Sequence, residues 1–241
     1  MRDKGQEAQL NDQEQLFLSL AEQLTRPFLQ IYHLAELAQT DSPKAAALRW
    51  QTVQTISNAS MQLAESYALS LRVQGKVTPL EYEPVTVSSL LYDTAAALEP
   101  FAKEYGVELE LDTGLKAQPI FADRAVLQSA MTSLGQVFVV AQSESDVRAA
   151  VRLAAHRSRY GVVAGLYGNM PGLGADSLRR AHALRGTARQ PLQRLVSGPA
   201  AGVFVAESLL HTLASHLHVA RYHNMTGLAA TLHPSQQLQL V

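Results

Sequence analysis

The sequence predicts an α+β chain: a long antiparallel helical hairpin, then an α/β sandwich with helices on one face of a sheet. Three observations carry this. Apolar residues recur at steps of three and four over the first seventy or so positions, roughly the spacing of bundled helices. That periodicity breaks at the turn-rich stretch QGKVTPLEYEP, Gln74 to Pro84. Beyond it, short alternating strands and amphipathic helices are interleaved, the order expected of helices layered on a sheet.

The first helix spans about Asp12 to Gln39, with Phe17, Leu20, Leu24, Phe28, Ile31 and Leu34 or Ala35 on one stripe. Asp41 or Ser42 can cap the next helix, and Pro43 suits its first turn. That helix continues to about Val73, with Leu48, Val53, Ile56, Leu63, Tyr67 and Leu71 inward. So short a connection makes an antiparallel hairpin, and two copies would complete a four-helix bundle. A homodimer is therefore expected. The domains are read as 1–75 for the hairpin, 76–86 for a linker and 87–241 for the sandwich.

Within the sandwich, VSSLLYDTAAALEPFAKEY is a helix capped near Ser88 or Ser89 and stopped by Gly106. VELELD alternates as a strand, and IFAD is a short strand ending in Asp123. A helix follows from Arg124 to about Gln142. AVRLAAHRS and YGVVAGLYG read as two strands joined by a tight turn. ADSLRRAHAL is a short helix, and RGTARQPLQRLVSGPAAG is irregular. VFVAESLLHTLASHL is a helix, and HVARYHNMTGLAATLHP is a hairpin turning near Asn224 to Gly227.

Composition bounds the function. The 241 residues are 47% hydrophobic, enough for a sizeable core, and include no cysteine, so disulfides and thiolate metal sites are excluded. No window approaches the roughly 18 consecutive apolar residues of a membrane span, and the polar start lacks a signal-peptide core. A cytoplasmic protein without membrane contact is expected. Residues 1–116 carry 9 Lys and Arg against 16 Asp and Glu, a balance of −7. Residues 117–241 carry 11 against 5, a balance of +6, and all eleven cations are arginine. The arginines from Arg148 to Arg194 accompany no helix-turn-helix and no aromatic-interleaved strand, which argues against a nucleic-acid partner. His211, His216, His218 and His223 match no zinc spacing, so no metal is expected.

The stretch AEQLTRPFLQI, Ala21 to Ile31, together with the order of elements, resembles a sensor histidine kinase core from about Leu16 to Pro234. In that family a dimerising hairpin precedes an ATP-binding domain of the Bergerat type. The family's phosphoacceptor box reads roughly H-E-L-R-T-P-L. The matching residues are Glu22, Gln23, Leu24, Thr25, Arg26, Pro27 and Phe28. Pro27 takes the place of the family's helix-bending proline. Glu22 stands where the phosphorylated histidine would be, and a carboxylate is not the nitrogen nucleophile that forms phosphohistidine.

The nucleotide motifs depart in the same way. Counted from Asp123, the two asparagine positions of the family's N-box fall on Ser133 and Val137. Valine offers no oxygen to magnesium. The first glycine box, D-x-G-x-G, aligns with Gly168 to Gly172, where Gly168 replaces the adenine-binding aspartate and Met170 the first glycine; Pro171 and Gly172 keep the pattern. The second glycine box aligns with Gly198 to Val203, where Gly198 and Gly202 are kept and Ala200 replaces the central glycine.

From the resemblance, three expectations follow. The chain is read as a catalytically inactive, non-enzymatic regulator or adaptor of two-component signalling that needs no cofactor. Its partner is a response-regulator receiver domain or another histidine kinase, docked on the outward face of helix one at Glu22, Gln23, Arg26 and Gln30. The alternatives are a phosphotransferase using His33, about three turns and roughly 16 Å beyond Glu22, or a nucleotide-binding sensor without kinase activity.

Overall fold

The computed structural model describes residues 3–114, 119–144, 149–170, 173–174, 176–179 and 200–234, with side chains described from Glu14 onward except those of Gln15 and Ala200. Helix α1 runs Asp3–Thr40 and α2 runs Pro43–Gln74, an antiparallel hairpin as expected. Ser42 is the residue before α2, and Pro43 opens the helix where its missing N–H costs nothing. Asp41 does not cap; its carboxylate takes a hydrogen bond from the Arg49 guanidinium across the turn. Pro27 lies inside α1, where it removes the amide that would bond the carbonyl of Gln23.

The apolar stripe divides in two. Toward the sandwich, Leu16, Leu20, Ile56, Leu63, Tyr67 and Val73 are buried. Phe17 and Phe28, on the stripe of helix one, and Leu48, read as inward on helix two, remain 57%, 57% and 66% exposed in the single chain. The reason is geometric: two helices cover only one side of each other's surface.

The segment read as a linker holds a strand. β1 (Glu83–Thr86) pairs antiparallel with β3 (Pro119–Ala122) as a separate two-stranded ribbon. Pro84 obscures it in the sequence, yet proline is tolerated where a ribbon has a free edge. Helix α3 spans Val87–Glu104 and follows Thr86, two or three residues before the serines read as its cap. Gly106 ends it at φ +65°, in the left-handed region.

The main sheet contains β2 (Glu108–Asp112), β4 (Ala150–Ser158), β5 (Gly161–Gly168), β6 (Leu217–Tyr222) and β7 (Met225–Leu232), in the order β2-β4-β5-β7-β6. β2 is parallel to β4 and every other pairing is antiparallel. Helix α4 (Arg124–Ser143) starts at Asp123, whose carboxylate accepts from the Val126 amide at 3.0 Å and the Glu81 amide at 2.9 Å. One side chain thus caps α4 and ties down the chain leaving the hairpin. Helix α5 spans Ala200–Thr212. The sequence extends that helix to Leu217, but Leu217 is already in β6. The following hairpin turns at His223–Asn224, with Gly227 inside β7. Most of ADSLRRAHAL and of RGTARQPLQRLVSGPAAG lies outside the described residues.

Helices α3, α4 and α5 cover one face of the sheet around Leu127, Leu134, Phe138, Leu153, Leu166, Phe204 and Leu228. The other face has a floor of small side chains, Ala154 and Ala229, crossed by Tyr167. Tyr222 lies over Tyr167 at 5.3 Å between ring centres, and His156 stacks on Tyr222 at 5.4 Å. Burial pushes the Tyr167 hydroxyl up to about 12. Arg152 donates two hydrogen bonds to Glu110, at 2.6 and 2.9 Å, beside this cluster.

Burial also lowers the pKa of His156 below its usual 6.5. Folded protein then takes up that proton at lower pH than unfolded protein. Its contribution to stability is intact above about pH 6.5 and is lost as pH falls below that value. We expect the denaturant midpoint to drop between about pH 7 and 5, and to drop less in His156→Leu. Equal slopes for the two proteins would assign the dependence to other groups.

Candidate functional site

The residues aligned with the acceptor box lie in the middle of α1. Glu22, Arg26 and Gln30 are exposed. Gln23 is not. It was expected on the outward docking face, but it is half-buried, and its side-chain oxygen accepts a hydrogen bond from the Gly202 amide at 3.2 Å. The correction follows from helix geometry. One residue is about 100° of turn, so Glu22 and Gln23 face different directions. Gly202 is in the first turn of α5, where backbone amides have no acceptor within the helix. His33 is exposed farther along α1, 3.8 Å from the Glu36 carboxylate. Glu36 also accepts a hydrogen bond from the Tyr32 hydroxyl at 2.7 Å, which raises the Tyr32 pKa.

The positions aligned with the nucleotide motifs converge on α4, β5 and α5. Ser133 and Val137 are each 1% exposed, on the side of α4 that meets α5. A Cβ on Gly202 would stand 2.7 Å from a Val137 methyl and 3.0 Å from the Ser133 carbonyl oxygen. Glycine at 202 is thus a requirement of close helix approach. The Ser133 hydroxyl is buried with no hydrogen-bond partner among the described residues. Gly168 ends β5, and a Cβ there would stand 2.9 Å from the Gln142 side chain. Gln142 holds the next residue from both sides: its oxygen accepts from the Asn169 amide and its nitrogen donates to the Asn169 carbonyl, each at 3.2 Å. Met170 is buried in the main core. Gly172 and Gly198 lie outside the described residues, and Ala200 is the first residue of α5.

Gln142 was not singled out from the sequence. An amide near a helix end is unremarkable until the strand it braces is known. The same holds for Gln74 and Gln136. Gln74 donates to the Ser208 hydroxyl at 2.6 Å, and Gln136 donates to the Ala59 carbonyl and the Gln62 side chain, each at 3.2 Å. These contacts join the hairpin to α4 and α5. Of the histidines, His211 and His216 place their rings 5.6 Å apart. Among the described residues no three His, Asp or Glu side chains gather around a common point. No helix among them is long and apolar enough to cross a membrane.

Known structures share this arrangement. The histidine kinase AdeS of Acinetobacter baumannii superposes with a TM-score of 0.54 at 11% identity, covering 88% of this chain and 98% of AdeS. Full-length ShkA, solved with AMPPNP, gives 0.55 at 18% identity, covering 92% of this chain and 46% of ShkA. The fold is that of a histidine kinase core. No protein-family model matches the chain, and no curated protein matches it by sequence.

The expectation of a non-enzymatic chain is corrected by these similarities. The structures that share the architecture are kinases, which are enzymes, and motif departures in a sequence do not set the chain apart from them. The described side chains themselves do not match the donor set of a magnesium–nucleotide site in that fold. Val137 presents methyl groups, Gly168 has no carboxylate, and Met170 is packed into the core.

The contact at Gly202 can be tested by stability. Gly202→Ala introduces a methyl group against Val137 and the Ser133 carbonyl. We expect a loss of about 1–3 kcal/mol in chemical denaturation. The double variant Gly202→Ala with Val137→Ala should lose less than the sum of the two single variants, because the nearer obstruction is the Val137 side chain.

Proposed function

We propose that the chain is a cytoplasmic two-component signalling protein that works as a homodimer and docks a response-regulator receiver domain on its hairpin. The observation that carries this reading is the unpartnered side of the hairpin. Phe17, Leu18, Phe28, Leu29, Tyr32 and Leu48 are all more than half exposed. Contiguous exposed apolar side chains at helical spacing are rare on a monomer and mark an interaction surface. A second hairpin would turn the pair of helices into a four-helix bundle.

The outward face of α1 at Glu22, Arg26 and Gln30 is the proposed receiver-docking surface. All three side chains are exposed and one or two turns apart along the helix. Gln23 drops out of that surface because its amide is engaged by Gly202. Another histidine kinase is the second partner class, since a hairpin that pairs with itself can pair with a related one.

Light scattering at micromolar concentration should give about twice the 26.2 kDa chain mass. Phe28→Glu should shift the protein to monomer, because a buried unpaired carboxylate costs several kcal/mol. A wild-type monomer would overturn the dimer.

Docking is tested by titrating receiver domains of response regulators from the same cell. Arg26→Ala with Gln30→Ala should weaken the binding one about tenfold. Arg157→Ala with Arg221→Ala in the sheet should leave it unchanged. The reverse pattern would move the docking surface to the arginine-rich half of the chain.

A further inference from the structure

The face of the main sheet away from the helices is curled over on itself. β2 and β6 stand at opposite ends of the strand order, yet His223, in the β6–β7 turn, brings its Nε2 to 3.9 Å from the Asp112 carboxylate of β2. The turn thus reaches across the sheet from one edge to the other. His223 does this at φ +50°, in the left-handed region that residues with a Cβ seldom adopt. Its neighbour Tyr222 lays its ring on the face, 5.3 Å from the Tyr167 ring and 5.4 Å from His156, inclined by 34° and 26°. Burial, and then a hydrogen bond to Asp112, raise the Tyr222 pKa, so the hydroxyl is a donor held by that carboxylate.

The sheet under this ring is flat. Ala154 and Ala229 are fully buried, and Gly165 pairs with both. A Cβ on Gly165 would stand 2.6 Å from the Ala229 Cβ, so the floor has no room for one. Tyr167 packs in the same cluster with 0% exposure, and its hydroxyl has no hydrogen-bond partner among the described residues. Buried polar groups are ordinarily bonded, so an orphan on a floor of small side chains marks a place for a partner. With its pKa pushed up to about 12, that hydroxyl stays protonated and offers its hydrogen. At the border two carboxylates, Glu110 and Asp112, stand against one guanidinium, Arg152, which disfavours an anion.

We propose that this face is a binding site for a small neutral nitrogen heteroaromatic, a flat ring system with one hydrogen-bond donor and one ring-nitrogen acceptor, and that Tyr222 is its intramolecular occupant. Tyr222 shows what the site takes: a flat ring against His156, with a donor turned to Asp112. The ligand replaces the Tyr222 ring and its donor, and its ring nitrogen accepts from Tyr167, which Tyr222 itself leaves unpaired. Tyr222 can leave by rotation about its own side-chain bonds, since it sits at the end of an edge strand and is only half-buried. The site lies on the sheet and does not depend on how the hairpin docks.

Two probes of one shape test it on the full chain: 6-hydroxyquinoline, and 2-naphthol, which has the same hydroxyl and no ring nitrogen. Binding is read from the amide shifts of Ala154, Gly165 and Ala229. Wild type should bind 6-hydroxyquinoline saturably, about fivefold tighter than 2-naphthol. Tyr167→Phe should abolish that preference without lowering the melting temperature, because the lost hydroxyl had no partner to lose. Tyr222→Ala, with the occupant gone, should bind 6-hydroxyquinoline about tenfold tighter. Should that variant fail to fold, Tyr222→Phe gives up only the hold on Asp112 and should tighten binding about threefold. Absence of floor shifts in wild type overturns the proposal even if Tyr222→Ala binds, since the substitution would then have made the hole. Equal affinity for the two probes, or a preference that survives Tyr167→Phe, overturns it too.

Discussion

At Gly202 the first turn of α5 lies so close to α4 that a single methyl group would collide with Val137 and the Ser133 backbone. Much else is built on that approach. It sets α5 beside α4 as one layer, and that layer covers the sheet through Leu134, Phe138, Phe204 and Leu209. It also turns the Gly202 amide toward α1, where Gln23 accepts its hydrogen bond. With a larger residue, α5 would stand off, and both the core layer and the junction with the hairpin would lose register.

The two faces of the sheet are solved differently. The helix-covered face is apolar and closed. The other face has no helix among the described residues, and it protects itself with its own side chains: Tyr222 and His156 fold over a floor of alanine. This covers β5 and β7 with few atoms, at the cost of a Tyr167 hydroxyl and a His156 nitrogen that find no hydrogen-bond partner among the described residues. Titration of this face is therefore a stability matter, whereas the helix-covered face and the hairpin carry the positions aligned with signalling motifs.

Much of the architecture was legible because its determinants are local. Steps of three and four marked both hairpin helices, and alternation marked β2. What escaped was set by neighbours distant in sequence. β1 escaped because Pro84 argues against a strand, and only pairing with Pro119–Ala122 makes it one. The end of α5 escaped because Leu217 is apolar in either state, and its pairing opposite Ala230 decides for the strand.

For the site, the sequence by itself determined which chemical groups stand at the aligned positions: a carboxylate at 22, methyl groups at 137, no side chain at 168 and 202. It could not determine what those groups touch. Tertiary structure alone decided that Gln23 turns inward to Gly202 while Glu22 stays in solvent, and that Gln142, Gln74 and Gln136 are joints between segments. The physical reason is range. Periodicity, capping and turn chemistry act over a few residues, so one chain segment reports them. A neutral amide has no preferred neighbour in sequence, and its partner, here as many as 179 residues away, exists only once both bodies have folded and docked.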